Sequence, residues 1–394
     1  MDGAGAEALH AWLRDQVRRN RPWNEMAREL LTAEGDSYST GAANFARAAP
    51  DAREQAEHVS QLFLGVRLRC ANCHNHPLDR WTQDDYHGLA AVFARLERGR
   101  EVRWGPRGEV IHPRTGEATR PRLPGERFLT AGDRRAELAD WTVAAANPYF
   151  ARALVNRLWR VMFGRGLVDP VDDLRATNPA THPALLQRLA DDFIAHGYDV
   201  RHTLRRMATS AAYSRAAADG AGPADPSAIW AERYYATATA RPLAAEVLAD
   251  AFSAVTDADL TGSPSGISRA IELVDAAAEA PALEILGRCG REEPCEEGPT
   301  ATGLARTLHL INGPLLNAAI SSPRGRLARL LEDHSDEEIL AELYLRALGR
   351  APQQAERTMF LAQFDGEETD AERRQLWEDI LWSLLTCREF TTNH

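Results

Sequence analysis

AREQAEHVSQLFLGVRLRCANCHNHPLD, residues 52–79, carries two messages in one stretch. Its first half sets Ala56, Val59, Leu62, Phe63 and Val66 at helical spacing, an apolar stripe of the kind that a 3.6-residue period gathers onto one face. This spacing predicts an amphipathic helix over 52–69 that delivers the chain directly into Cys70. The second half concentrates Cys70, Cys73, His74, His76 and Asp79, and thiols, imidazoles and a carboxylate so close together are suited to holding a metal or a haem. Beyond the cluster, Asp84 and Asp85 are placed to cap a second helix that turns Leu89, Val92, Phe93 and Leu96 inward.

The helical period continues in both directions. Leu9, Trp12, Leu13 and Val17 share one face near the start, and Met26, Leu30 and Leu31 share another. Downstream, Asn147-Pro148 opens YFARALVNRLWRVMF, which Gly164 stops, and Thr181 or His182 with Pro183 opens a helix that Gly197 ends. Helices are also expected around 230–256, 303–320, 336–348 and 371–388. Residues 100–128 differ, alternating short extended pieces with Gly and Pro turns, the pattern of a small hairpin or strap. The expected fold is therefore mainly α: two helical lobes with a small β-hairpin or extended strap between them, divided into residues 1–130 and 131–394.

Composition narrows the function. An apolar share of 44% supports a sizeable core, while the net charge of -11 argues against general nucleic-acid binding, which wants positive surface. All 46 basic residues are Arg, so lysine nucleophiles, Schiff bases and a P-loop are excluded. No apolar run is long enough to span a membrane, and the first residues lack the apolar core of an export signal. Five cysteines, Cys70 and Cys73 three apart with Cys289, Cys295 and Cys387 elsewhere, fit a metal or redox site better than a disulfide framework.

The chemistry of the cluster admits several readings. Cys-x-x-Cys-His is the spacing for covalent haem attachment, with Cys70 and Cys73 bonded to the vinyl groups and His74 reaching the iron. In that reading a sixth ligand would come from elsewhere, with Met162, Met207, His87 and His182 as candidates. Alternatively Cys70 and Cys73 form half of a structural zinc site completed by a histidine or by Cys289 and Cys295. A dithiol redox pair and a purely structural turn are further readings. His76 and Asp79 would then orient a ligand, or join His74 in a metal-dependent hydrolase using metal-bound water. Trp81, Tyr86 and Phe93 either wall a flat cofactor or fill the core between two helices.

The segment EHVSQLFLGVRLRCANCHNHPLDRWTQDDYHGLAAVFARL resembles the cytochrome-like domain abundant in planctomycetes and related bacteria, the PSCyt type. The run from NPYFARALVNRLWRVMF to TSAAYSR, together with ARTLHLINGPLLN and LWEDILWSLLTCREF, resembles the PSD-type domain that habitually follows it. Neither domain type carries an established activity. The resemblance implies an extracytoplasmic haem c protein serving electron transfer or a redox partner. It also implies an export leader ahead of this chain, which would begin inside the first domain. Similar proteins carry a Cys-x-Cys pair where this chain has Cys295-Glu296-Glu297, a departure that touches a four-thiolate zinc site and leaves Cys70–His74 intact.

Overall fold

The computed structural model describes residues 2–129, 132, 134–216, 226–238, 240–260, 266, 269–274, 282–288, 304–364 and 366–393. They fall into two compact units, Met1–Thr239 and Ala240–His394, each with its own apolar core. The protein is mainly α, with sheets of two and three short antiparallel strands.

The first unit contains α1 (Gly3–Arg18), α2 (Trp23–Thr32), α3 (Ala52–Val59), α4 (Gln83–Val92), α5 (Arg134–Val143), α6 (Phe150–Phe163), α7 (Pro183–Ala195), α8 (Val200–Ala208) and α9 (Pro226–Arg233). Its core joins residues on both sides of position 130. The Phe63 and Phe150 rings lie 6.4 Å apart, and Trp23 stacks over Phe150 at 6.5 Å. Such aromatic pairs add to the area they bury. Leu9 and Trp12 of α1 pack against this core, whereas Val17, expected on the same face, is exposed.

The helix expected over 52–69 is shorter than its pattern. Asp51 caps α3, accepting from the Arg53 and Glu54 N–H groups, and a π turn at Ser60–Leu64 follows. Gly65 then ends it with φ +63°, a left-handed conformation that costs a side chain strain. A Cβ at Gly65 would come within 2.8 Å of Leu174 Cδ1 and 3.2 Å of Ala153 Cβ. The Gly65 carbonyl accepts from Leu174 N–H at 2.8 Å, so a distant loop seats where the helix would have continued. Val66 and Leu68 remain buried in the segment that leads to Cys70.

The cap of α4 is Thr82, one turn earlier than the acidic pair suggested. Its hydroxyl receives the Asp85 N–H, and the Asp85 carboxylate receives the Thr82 N–H at 2.9 Å, satisfying two helix-end donors reciprocally. Of the residues expected inward on this helix, Leu89 and Val92 are buried on α4 and Phe93 at its C-cap, whereas Leu96 is buried beyond the helix end, in the strand that follows. The hairpin consists of β2 (Leu96–Arg98) and β3 (Glu101–Trp104), flanked by β1 (Gly35–Asp36) in the order β1-β3-β2. It belongs to the first unit. Between 105 and 129 the described pairing reduces to the bridges Ile111–Ala118 and Arg122–Phe128.

In the second unit, helices Ala245–Thr256, Asp336–Leu348 and Asp370–Thr386 bury Leu248, Phe252, Ile339, Leu343, Trp377 and Leu381. Capping boxes at Ser335/Glu338 and Thr369/Glu372 start two of them. The helix expected over 303–320 is broken at Gly313-Pro314 into Leu304–Asn312 and Pro314–Ile320, because proline lacks the N–H that continuation requires. Among the described residues, no helix is long and apolar enough to cross a membrane.

Candidate functional site

The cysteine–histidine cluster occupies a 3-10 turn, Arg69–Asn72, and the open loop that follows it. Ala71 is buried and anchors the turn, while Cys70, Cys73 and His74 are exposed. Both cysteines are free thiols. The backbone is held from behind by α4. Gln83 Nε2 donates to the Cys73 carbonyl at 2.8 Å, and His87 Nε2 lies 3.0 Å from the Asn72 carbonyl. Gln83 N–H donates to Asn75 Oδ1 at 3.1 Å, and His76 N–H to the Trp81 carbonyl at 2.8 Å. Thr177 Oγ1 donates to the Leu78 carbonyl at 3.1 Å, a tie from a loop far along the chain. The turn is therefore fixed through its peptide groups, and its side chains face outward.

Hydrogen bonds assign the imidazole protons. His74 Nδ1 lies 2.8 Å from the Asn75 carbonyl. A carbonyl only accepts, so Nδ1 is the donor, and in the neutral ring the lone pair is on Nε2. This is the arrangement that orients a metal-ligating histidine. His76 is the opposite case: its Nδ1 accepts the Leu78 N–H at 3.2 Å, which places the proton on Nε2 and uses up the lone pair. Asp79 Oδ1 accepts the adjacent Arg80 N–H at 2.8 Å. The hydrolase reading needs His74, His76 and Asp79 to converge. Among the described residues, the one group of three donors whose ligand atoms lie within 4.8 Å of one another is elsewhere, at Asp192, His196 and His202.

His87 is fully buried between Tyr86 and His112, each ring centroid 5.0 Å away in an edge-on arrangement. Burial, above all, lowers its pKa and keeps it neutral. With Nε2–H donated to Asn72, His87 Nδ1 is a buried lone pair with no partner. Burial likewise raises the Tyr86 phenol, whose hydroxyl donates to Glu57 Oε1 at 2.8 Å. Gln83 and His87 are thus positioning residues beneath the cluster. Spacing from the cysteines did not single out Gln83, and it suggested His87 only as an iron ligand.

The remaining candidates are placed as follows. Met207 is buried in the core and Met162 packs partly buried against it, while His182 lies against Tyr234 and Tyr235. Trp81, Tyr86 and Phe93 are core residues, at 2%, 0% and 1% exposure. Arg80 covers the Trp81 ring at 4.6 Å, and Trp81 meets Tyr149 at 5.8 Å. Tyr149 also lines a cleft of about 370 Å³ with Arg152, Leu174, Arg175, Asn178 and Leu186. Cys387 lies in the second unit, where its thiol donates to the Leu384 carbonyl. Cys289 and Cys295 lie outside the described residues.

Residues 2–98 match the family model PSCyt2, a protein of unknown function (DUF1549), and residues 134–364 match PSD1, a protein of unknown function (DUF1553). The second match spans more than half of the chain, and the chain belongs to that family. It runs through parts of both compact units, so the family border and the line of compaction fall at different places. No curated protein and no solved structure matches the chain.

Proposed function

We propose that the chain is a redox or electron-transfer accessory protein in which Cys70 and Cys73 anchor a c-type haem and His74 ligates its iron. The observation that carries this reading is the His74 ring: Nδ1–H is engaged by the Asn75 carbonyl, and Nε2 is left free beside two exposed, unpaired thiols. The donor set fits the group. Thioether attachment needs thiols that a vinyl carbon reaches, each S–H adding across a double bond with its proton passing to carbon, and it needs an imidazole lone pair for iron. The bound group would supply one-electron transfer between two iron oxidation states.

The chain's own part is positional. Gln83 and His87 hold the carbonyls of Cys73 and Asn72, so the thiols project from a backbone that does not have to reorganise. Its redox partner is a protein or small carrier reaching this exposed edge. Haem attachment of this kind takes place outside the cytoplasm, which is where the reading places the protein.

The test is expression with an export leader in a host that attaches haem c. Iron near one equivalent per chain, retained after denaturation and lost in Cys70→Ser/Cys73→Ser, is the expected result. Stoichiometric zinc without iron would overturn it and return the cluster to a structural metal site built on Cys70 and Cys73.

A further inference from the structure

Asp192 on α7, His196 at its C-terminus and His202 on α8 meet at the corner between the two helices. His202 Nε2 lies 2.9 Å from Asp192 Oδ2, and His196 Nδ1 lies 3.5 Å from Asp192 Oδ1 and 2.8 Å from the Asp192 carbonyl. The imidazoles stack at 3.8 Å with their planes 15° apart. One nitrogen of each ring and one carboxylate oxygen lie within 4.8 Å of one another. Ligand atoms around tetrahedral zinc are roughly 3.3 Å apart, given zinc–nitrogen bonds of about 2.0–2.1 Å. Because imidazole lone pairs lie in the ring planes, binding one ion requires at least one of the two rings to rotate out of the present stack.

The backbone of this corner is already set. Gly197 and Tyr198 both take left-handed conformations, with φ +66° and +60°. Tyr198 holds that strained geometry because its ring is buried against Phe150 and Phe193, and its carbonyl accepts from Trp23 N–H at 3.1 Å. Asp199 caps α8 by accepting the His202 N–H at 2.9 Å, which fixes the turn that carries the second imidazole. Arg201 donates to the Val17 and Arg18 carbonyls and ties the corner to α1.

We propose that Asp192, His196 and His202 form a binding site for a divalent transition-metal ion of the zinc class. Two imidazoles and one carboxylate suit zinc, copper or nickel, whereas calcium and magnesium prefer all-oxygen sites. Three protein ligands leave the fourth position of a tetrahedron to water, and the His196 side chain, 48% exposed, leaves the site open on that side. Each imidazole that ligates through the nitrogen now facing Asp192 takes the other tautomer, its proton passing through solvent to the opposite ring nitrogen, and the ion clamps α7 to α8. This site is independent of the thiol turn.

The experiment is calorimetric titration of the untagged full chain with zinc chloride under reducing conditions. Wild type and Cys70→Ser/Cys73→Ser are compared with His196→Ala and Asp192→Asn, both corner variants built in the Cys70→Ser/Cys73→Ser background so that the thiols contribute no zinc binding. The expected result is one zinc equivalent present in wild type and in the cysteine variant, and weakened at least tenfold in both corner variants. Zinc should also raise the melting midpoint of the cysteine variant and not that of His196→Ala. His196 is exposed, so unchanged far-UV circular dichroism and melting of zinc-free His196→Ala separates ligand loss from misfolding. Undiminished zinc affinity in either corner variant, or no zinc bound by the cysteine variant at millimolar concentration, overturns the proposal.

Discussion

The thiol turn and the α7–α8 corner offer similar donors and use opposite means of presenting them. At the turn, Cys70, Cys73 and His74 project outward from a loop whose peptide groups are gripped by Gln83 and His87. At the corner, Asp192, His196 and His202 point at one another, and buried aromatic packing around Tyr198 fixes the backbone. A cluster that projects is suited to a large group that brings its own surface. A cluster that converges is suited to a single ion. Contiguity in sequence therefore says little about convergence in space, because neighbouring side chains on an open loop diverge unless something folds them inward.

The strongest way to break this comparison is at Tyr198. Tyr198→Ala removes a buried ring and should cost about 3–5 kcal/mol in denaturant unfolding. It should also weaken zinc binding at the corner while leaving Cys70 and Cys73 as accessible to a thiol reagent in the native state as before. A cost below about 1 kcal/mol would mean that the aromatic packing does not hold the corner. Gly65→Ala comes next. The new methyl meets Leu174 and Ala153 and adopts a left-handed φ, so a loss of about 1–3 kcal/mol is expected. Here the thiol turn should suffer, since Gly65 ends the segment that leads into it, and Cys70 should react faster with a thiol reagent. Unchanged stability and reactivity would show that the loop at Leu174 yields easily.

The two regions were unequally legible in the sequence. The Cys-x-x-Cys-His spacing announced the turn, and the helical stripes announced α4, α6 and α7. The end of the helical run at Gly65 is hidden by an apolar pattern that continues through Val66; the left-handed φ of Gly65 and the close approach of Leu174 explain the break. The cap of α4 was displaced for a related reason: Asp85 acts through Thr82, and both are needed to close the capping box. The corner was not legible. His196 and His202 straddle a helix end, and their meeting depends on two consecutive left-handed residues, of which only Gly197 signals itself. Residues on both sides of position 130 contribute to one core, while the two family matches lie on either side of it, at 2–98 and 134–364.

Gln83→Ala sharpens the comparison on the other side. It removes the donor to the Cys73 carbonyl, which lies at an exposed loop where water substitutes, so the expected loss is about 1 kcal/mol or less. The effect should appear more clearly in the cofactor reading than in stability, as lower haem occupancy at unchanged melting behaviour. Equal occupancy would show that the remaining bonds, from His87, the Gln83 backbone N–H and Thr177, suffice to hold the turn.

The smallest effect at neutral pH is expected from His87→Gln, which retains a donor for the Asn72 carbonyl. The signature lies in the pH dependence. Burial lowers the folded-state pKa of His87, so the unfolded chain binds its proton first as pH falls. Above the unfolded value of about 6.5 this group contributes no pH dependence, and below it the folded state is progressively destabilised. Wild type should therefore lose stability between pH 7 and pH 5, and His87→Gln should lose less. His309, also lowered by burial, contributes the same sign in both proteins and cancels in their difference. Parallel melting curves across that window would mean that His87 becomes protonated in place, with its unpartnered Nδ1 finding an acceptor on the side of His112 and Asp84. The turn beneath the thiols would then be a pliant support, and the contrast with the aromatic-pinned corner would widen.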